Sequence, residues 1–540
     1  MDDSNPGKTI TEADIGLQER DNIHWIATDL GEHSLGQDEP CLDPESSEFD
    51  HYRWAEAATS RLCREGITLQ EQGIIFSNLR VSGSESALQL QETVLSSFTM
   101  PFRILVQSMF GCSHVGRRRI LHGFHGVLQS GELLLVLGRP GSGCSTFLKT
   151  LCGHLGGLTL EPESTIHYRG IGFEKMTKQY RGEVAYNQEV DEHFPHLTVG
   201  ETLSFAASAR VPQLRPSSLT RSRYVETIVK VVMAIFGLSH TTNTKVGDNF
   251  VRGVSGGERK RVSIAEMFLS RVRIGAWDNS TRGLDSASAL QVIKSLRLSA
   301  DLSKSCHAVA AYQTSQPMYD LFDKVILLYS GYEIFYGPRQ RAIEYFEEMG
   351  WYHDPARVDA DFLTALTNPD ERHARAGMEE KVPRTPAEFW EYWKQSKDYK
   401  ELVSQIEDYE SQYPIDGKDA EDFHNSHTDQ QARHSRQSSP YLLSIPMQIR
   451  LCLKRAFQNM RNNVPTVMST VISQIALSLI IGSIFFNTPN TNSAFFQKGA
   501  VLFFRNLDER HDYGQRGHAA LQPAASRGEA SPICFCAPVC

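Results

Sequence analysis

Residues 132–151 run from a short apolar stretch, Glu132-Leu-Leu-Leu-Val-Leu137, through the loop Gly138-Arg-Pro-Gly-Ser-Gly-Cys-Ser145, into a helical sequence beginning at Thr146. Few folds accept that order. The apolar run has the character of a buried parallel strand, and a strand that turns through glycines into a helix is a unit of an α/β layer structure. The loop fits the template G-x-x-x-x-G-K-[ST] at Gly138, Gly143 and Ser145, but Cys144 stands where the lysine belongs. In such loops the glycines let backbone N–H groups turn inward around phosphates, the helix adds its positive end, and the hydroxyl ligates Mg²⁺. Gly138, Arg139, Pro140, Gly141, Ser142, Gly143, Cys144, Ser145 and Thr146 are therefore read as nucleotide-binding, with Ser145 also a metal ligand. The absent lysine removes a contact worth roughly 4 kcal/mol at an effective dielectric of about 20 and a separation of about 4 Å. A thiol does not replace it. The sequence predicts a loop that holds a nucleotide weakly and hydrolyses it poorly.

A chain of 540 residues has room for about three or four domains. Its net charge of −9 comes largely from the start, where residues 1–50 carry fourteen Asp and Glu against Lys8 and Arg20. Residues 1–72 are expected to be an acidic, largely disordered N-terminus, and nothing in them suggests nucleic-acid binding. The ten cysteines are scattered, which suits a reducing compartment, and Cys534, Cys536 and Cys540 lack a second ligand pair for a metal.

From 73 to 350 short apolar runs alternate with helical stretches, as in an α/β domain. Ile74–Phe76 and Leu79–Val81 read as an early strand pair; Val184–Tyr186, Arg273–Trp277, Ala308–Ala311 and Lys324–Tyr329 read as further strands. Residues 351–445 are polar and proline-interrupted, and read as a linker with some helix. Val464–Phe486 then runs for 23 residues without Asp, Glu, Lys or Arg. As a helix that is about 34 Å, enough to cross a hydrocarbon core of about 30 Å. The preceding residues, from Ile445, set apolar and basic side chains at helical spacing, so 446–487 is expected to hold an interfacial helix and a membrane helix. Arg450, Lys454, Arg455 and Arg461 put the N-terminal side in the cytosol by the positive-inside rule. Residues 488–504 read as the start of an incomplete second membrane segment, and 505–540 as an atypical tail from a shifted frame or an unspliced intron.

Val254-Ser-Gly-Gly-Glu-Arg-Lys-Arg-Val-Ser-Ile-Ala-Glu266 is the second strong motif. Ser255 and Glu258 satisfy a capping box, so a helix should start there with free N–H groups pointing outward. Asp278 ends the apolar run Ile274–Trp277 downstream of the phosphate loop, the usual position of a Mg²⁺-side carboxylate. With the stretches Trp277–Ala289 and Tyr312–Asp323, and with Ala360–Pro369 and Lys381–Pro386, these motifs resemble the first nucleotide-binding domain of a fungal pleiotropic drug resistance transporter of the G-type ATP-binding cassette family. The resemblance covers roughly residues 73 to 504 and fails in the acidic N-terminus and the tail.

The resemblance implies an α/β cassette with a helical subdomain, followed by a linker and one transmembrane helix. It implies ATP and Mg²⁺ as cofactors, and as partners a lipid bilayer, a second cassette and further membrane helices. Cassettes of this family pair head to tail, so Ser255, Gly256, Gly257 and Glu258 would meet a nucleotide held by the other cassette. At this chain's own site Cys144 replaces lysine, Asn279 replaces the general-base glutamate, Tyr312 aligns with the switch histidine, and Glu189 aligns with a glutamine. An amide has no basic form near neutral pH, so Asn279 does not take a proton as a carboxylate does. Gln188 keeps a suitable side chain but is read as a polar neighbour. The implied function is export of amphipathic xenobiotics or lipids across the plasma membrane, with the cassette in the cytosol and its own ATP hydrolysis very weak. A non-catalytic nucleotide-binding or regulatory fragment, or the product of a decayed or mispredicted gene, is the alternative.

Overall fold

The computed structural model describes residues 40–66, 71–84, 117–216, 219–433, 435–436 and 439–486. The expectations for residues 1–39, the second membrane segment 488–504 and the tail 505–540 lie outside them. The described strands, in chain order, are β1 (Ile74–Ser84), β2 (Arg117–Leu128), β3 (Leu133–Gly138), β4 (Leu158–Leu160), β5 (Thr165–Tyr168), β6 (Ile171–Gly172), β7 (Val184–Asn187), β8 (Ile274–Asp278), β9 (Cys306–Ala310), β10 (Lys324–Tyr329) and β11 (Tyr332–Pro338).

They form two sheets. One is antiparallel, in the order β2-β1-β5-β6 with β4 also on β1; the other runs β11-β10-β3-β9-β8-β7. Strands β10, β3, β9, β8 and β7 are mutually parallel, and β11 alone turns back in a hairpin on β10. All six residues of β3 are buried, as a continuous apolar run in a doubly covered parallel sheet should be. Each such Leu or Val contributes about 1.5–3 kcal/mol by leaving water. The helix Cys144–Leu151 lies between the sheets, where Phe147 meets the Phe76 ring at a centroid distance of 5.2 Å.

Two sequence expectations need correction, and a third gains detail. Ile74–Phe76 and Leu79–Val81 belong to one strand: Asn78 takes a left-handed φ of 49° and the pairing with β2 shifts register there, so a bulge bends the strand without ending it. Within 1–72, residues His51–Arg64 form a helix, capped by the Asp50 carboxylate accepting from the Tyr52 N–H at 2.9 Å. Residues 351–445 hold four helices, Asp359–Leu366, Pro386–Gln395, Lys397–Gln412 and Lys418–Gln430. Phe389 and Trp393, then Leu402, Ile406 and Tyr409, recur at helical spacing and are buried in the same core as the sheets. Trp393 Nε1 donates to Glu333 Oε1 of β11 at 3.0 Å.

The helix Ile445–Asn462 has no buried residue and exposes Ile445, Ile449, Leu453 and Phe457 along one stripe. Val464–Ile484 comes next as a helix whose Val467–Ile484 portion is long and apolar enough to cross a membrane.

Candidate functional site

Parallel strands deliver the loops at their C-terminal ends to one sheet edge. β3 leads into the loop 138–145, β7 into Gln188 and Glu189, β8 into Asn279 directly after its last residue Asp278, and β9 toward Tyr312. The fold thus assembles residues that lie more than 170 positions apart in the chain.

The loop conformation depends on glycine. Gly141 and Gly143 take φ values of 85° and 101°, and a Cβ on Gly143 would lie 2.9 Å from Leu121 Cδ2. A Cβ on Gly138 would lie 2.7 Å from the Leu328 carbonyl oxygen. The Ser142 carbonyl accepts from the Gly331 N–H at 2.9 Å, which ties the loop to the β10–β11 turn. Arg139, Pro140 and Gly141 are exposed, and Ser145 and Thr146 are half-buried. Cys144 points inward and is only 6% exposed. Burial, with the Asp278 carboxylate nearby, pushes its thiol up to about 12, so it stays neutral.

Asp278 is 2% exposed, and its Oδ2 accepts from the Tyr186 hydroxyl at 2.7 Å. Asn279 takes a left-handed φ of 47°, tolerable for asparagine, with its N–H on the Ala310 carbonyl at 3.1 Å. Its Nδ2 donates to Asp278 Oδ1 at 3.5 Å, and it lies near the Tyr312 hydroxyl, whose pKa is raised by burial and by the neighbouring Cys144. Glu189 is ion-paired with Arg282. Cys144, Asp278, Asn279, Tyr312 and Glu189 are therefore neighbours. Among the described residues no group of three or more His, Cys, Asp and Glu gathers as a metal site. Ser145 and Asp278 would suit Mg²⁺, which keeps waters and takes its remaining ligands from phosphate.

The second motif lies apart. Ser255 caps the helix Gly256–Leu269 with both bonds of the capping box, and His240 Nε2 sits 3.0 Å from Glu258 Oε1. No hydrogen bond or ion pair among the described residues joins Ser255–Glu258 to the loop 138–146. A Cβ on Gly256 would meet nothing within 4 Å, and one on Gly257 only the Gly283 oxygen at 3.9 Å. Nearby, Phe250 is 96% exposed.

Three residues escaped the sequence reading. Tyr186 holds Asp278, Arg282 pairs with Glu189, and Lys260 donates to the Glu189 carbonyl at 2.8 Å while lying 3.4 Å from Asp191. Lys260 had a visible signal, since it shares the buried stripe of its helix with Ser263, Ile264 and Met267, where a lysine needs a partner.

Farther along, Arg455 lies over Phe194 and Phe205, at 4.8 and 3.9 Å from the ring centroids. Asn462 Nδ2 donates to Glu201 at 2.7 Å, and Lys245 donates to the Asn462 carbonyl at 2.9 Å. Glu201 and Phe205 fasten the helix Ile445–Asn462 to the helix Val199–Ala209, and Phe194 and Lys245 hold it from the flanking loops.

Comparison with known proteins carries the family match back into the acidic N-terminus, well before residue 73 where the resemblance read from the motifs begins. Residues 121–282 match the family model described as ABC transporter, residues 10–97 that described as ABC-transporter N-terminal, and residues 447–505 that described as ABC-2 type transporter. The chain is 51% identical over 492 residues to the ABC multidrug transporter atrI of Aspergillus fumigatus, covering 91% of this chain and 33% of the relative. It is 53% identical over 476 residues to the ABC multidrug transporter atrA of Aspergillus oryzae, covering 88% and 32%. With the ABC multidrug transporter MDR1 of Trichophyton tonsurans the identity is 49% over 506 residues, covering 94% and 32%. The chain spans about a third of the length of these relatives.

Proposed function

The chain belongs to the ATP-binding cassette (ABC) transporter family, and we propose that it supplies the first cassette and first membrane helix of a pleiotropic drug resistance type exporter. Its own nucleotide site is degenerate, and its signature, Ser255–Glu258, serves a nucleotide held by a second cassette. The cassette lies in the cytosol beneath the plasma membrane, and the cargo is an amphipathic xenobiotic or lipid.

The observation that carries this reading is the contrast in packing between the two motifs. Bound ATP–Mg²⁺ would supply a phosphoryl group whose hydrolysis requires an activated water. Around the loop, this chain offers a neutral buried thiol, an amide in place of a base, and a carboxylate already paired with Arg282. Ser255 accepts the Glu258 N–H at 3.3 Å, and Gly256 and Gly257 leave the helix start open to approach. Open glycines beside the exposed Phe250 suit a docking face for another cassette. Any shift of residues 189–205 on closure would pass through Glu201 and Arg455 to the helix leading into Val464.

The neutral site also favours a second reading, a non-catalytic nucleotide-binding regulator. ATP turnover measured on the chain alone and with a competent second cassette separates the two. The exporter reading expects background turnover alone and robust turnover in the assembly; turnover by the lone chain that is lost on changing Asp278 would sink it.

A further inference from the structure

The helix His51–Arg64 packs on the cassette without burying any of its residues completely. Between it, the helices Arg221–Ile235 and Ser286–Ser303 and the residues 268–273 that lead into β8 lies a cavity of about 230 Å³, with no residue of the phosphate loop in its lining. Its walls are mostly apolar, with Trp54, Ala58, Ile228, Phe268 and Leu298 among them. An apolar cavity of about 150 Å³ takes benzene, so this one suits roughly ten non-hydrogen atoms.

The polar part of the wall is cationic. Arg210 is paired with Glu183 at 3.0 Å; burial opposes the Glu183 charge, but Arg210 and His427 hold its carboxyl well below the usual range. Arg61, also on the wall, pairs with Glu65 at 3.4 Å, which leaves Arg215, Arg271 and Arg273, none of them in an ion pair among the described residues. Arg215 is spent on backbone carbonyls and Arg271 on the Tyr224 hydroxyl. Arg273 is different. It is 8% exposed, and its one side-chain hydrogen bond among the described residues is a long one, 3.4 Å, to the Ser303 carbonyl. Burial pulls its pKa down to about 10, with the Glu183 charge opposing, so it remains a cation at neutral pH. The Glu183 charge on the same wall bears on it, but a guanidinium has five N–H donors, and no carboxylate among the described residues accepts from those of Arg273. His51 Nε2, also on this wall, is buried without a hydrogen-bond partner among the described residues.

We propose that this cavity binds a small amphipathic carboxylate, its charged end bidentate on Arg273 and its apolar body between Trp54 and Leu298. The site is independent of the nucleotide reading. It is joined to it physically, because Arg273 immediately precedes β8 and Asp278 ends that strand.

The test uses the full chain in lipid nanodiscs, with octanoate and octan-1-ol as calorimetric probes. Ala58→Trp fills the cavity from a helix with no fully buried residue, and so leaves the core intact; it also reports partition into lipid. Saturable octanoate binding is expected, at least tenfold tighter than octanol and absent in Ala58→Trp. Arg273→Gln should lose at least tenfold for octanoate and nothing for octanol. Identical octanoate heats in the wild type and Ala58→Trp would overturn the proposal, as would undiminished octanoate binding by a folded Arg273→Gln. Octanoate binding that emerges only after removal of residues 1–39 would assign the cavity to the chain's own acidic segment, and would overturn it equally.

Discussion

The loop 138–145 and the motif 254–258 are both glycine-rich turns into helices, yet their glycines answer to different neighbours. At Gly138 and Gly143 an added Cβ strikes atoms of this chain, at 2.7 and 2.9 Å. At Gly256 it meets open space. The first pair is therefore required by the chain's own fold, whatever has happened to the chemistry of the site. Among the described residues nothing packs closely on the second pair, and the proposed reading assigns its glycines to a surface that approaches from outside. On the proposed reading, the first motif is held by packing within this chain, and the second is left open for a partner.

Four measurements put that contrast at risk, beginning with the strongest. Ser255→Arg or Gly256→Asp should abolish ATP turnover, by at least about a hundredfold or 2.7 kcal/mol, in an assembly with a competent second cassette. Gly256→Asp should leave the melting of the isolated chain within about 0.5 kcal/mol, as exposed substitutions do, whereas Ser255→Arg should cost it about 1 kcal/mol through the lost helix cap. Normal turnover would reduce the motif to a capped helix. Gly138→Ala should do the reverse, destabilising the isolated chain by roughly 2–4 kcal/mol through the clash with the Leu328 carbonyl. An unchanged denaturation midpoint would show that the loop yields easily.

The third concerns the buried support of the degenerate site. His307 lies on β9 against Trp277 of β8, and burial, aided by Arg297, pulls its pKa down to about 3. The folded chain then binds fewer protons there than the unfolded chain below pH 6.5, so its stability contribution is complete above that pH and is lost as pH falls toward 3. Between pH 6.5 and 5 the loss is about 2 kcal/mol. Denaturant unfolding at both pH values should show that difference diminished by about this amount in His307→Gln, with equal slopes contradicting it. Smallest of all, Cys144→Lys should tighten nucleotide binding about tenfold, some 1.4 kcal/mol, by a fluorescent-nucleotide titration. It should not restore turnover, because Asn279 still provides no base; full turnover from this one change would move the defect entirely to residue 144.

The strand-loop-helix at 132–151, the capping box at Ser255 and the apolar stretch from Val464 were legible because each is written in consecutive residues, where backbone sterics and local hydrogen bonding decide the outcome. The helices of 351–445 were partly concealed, since a polar average hides the few buried positions, such as Phe389 and Trp393, that repeat at helical spacing. The bulge at Asn78 was hidden for another reason: one residue in a left-handed conformation interrupts the alternation without ending the strand. Other contacts exist only in the assembled molecule. Tyr186 on Asp278, Arg282 on Glu189 and Lys260 on the Glu189 carbonyl join residues brought together by parallel pairing of strands distant in the chain. Arg273, half-satisfied over a cavity, is likewise an outcome of three elements meeting imperfectly. Sequence determines which residues can turn, cap and bury; which of them touch depends on strand order and register, and these are properties of the assembled sheet.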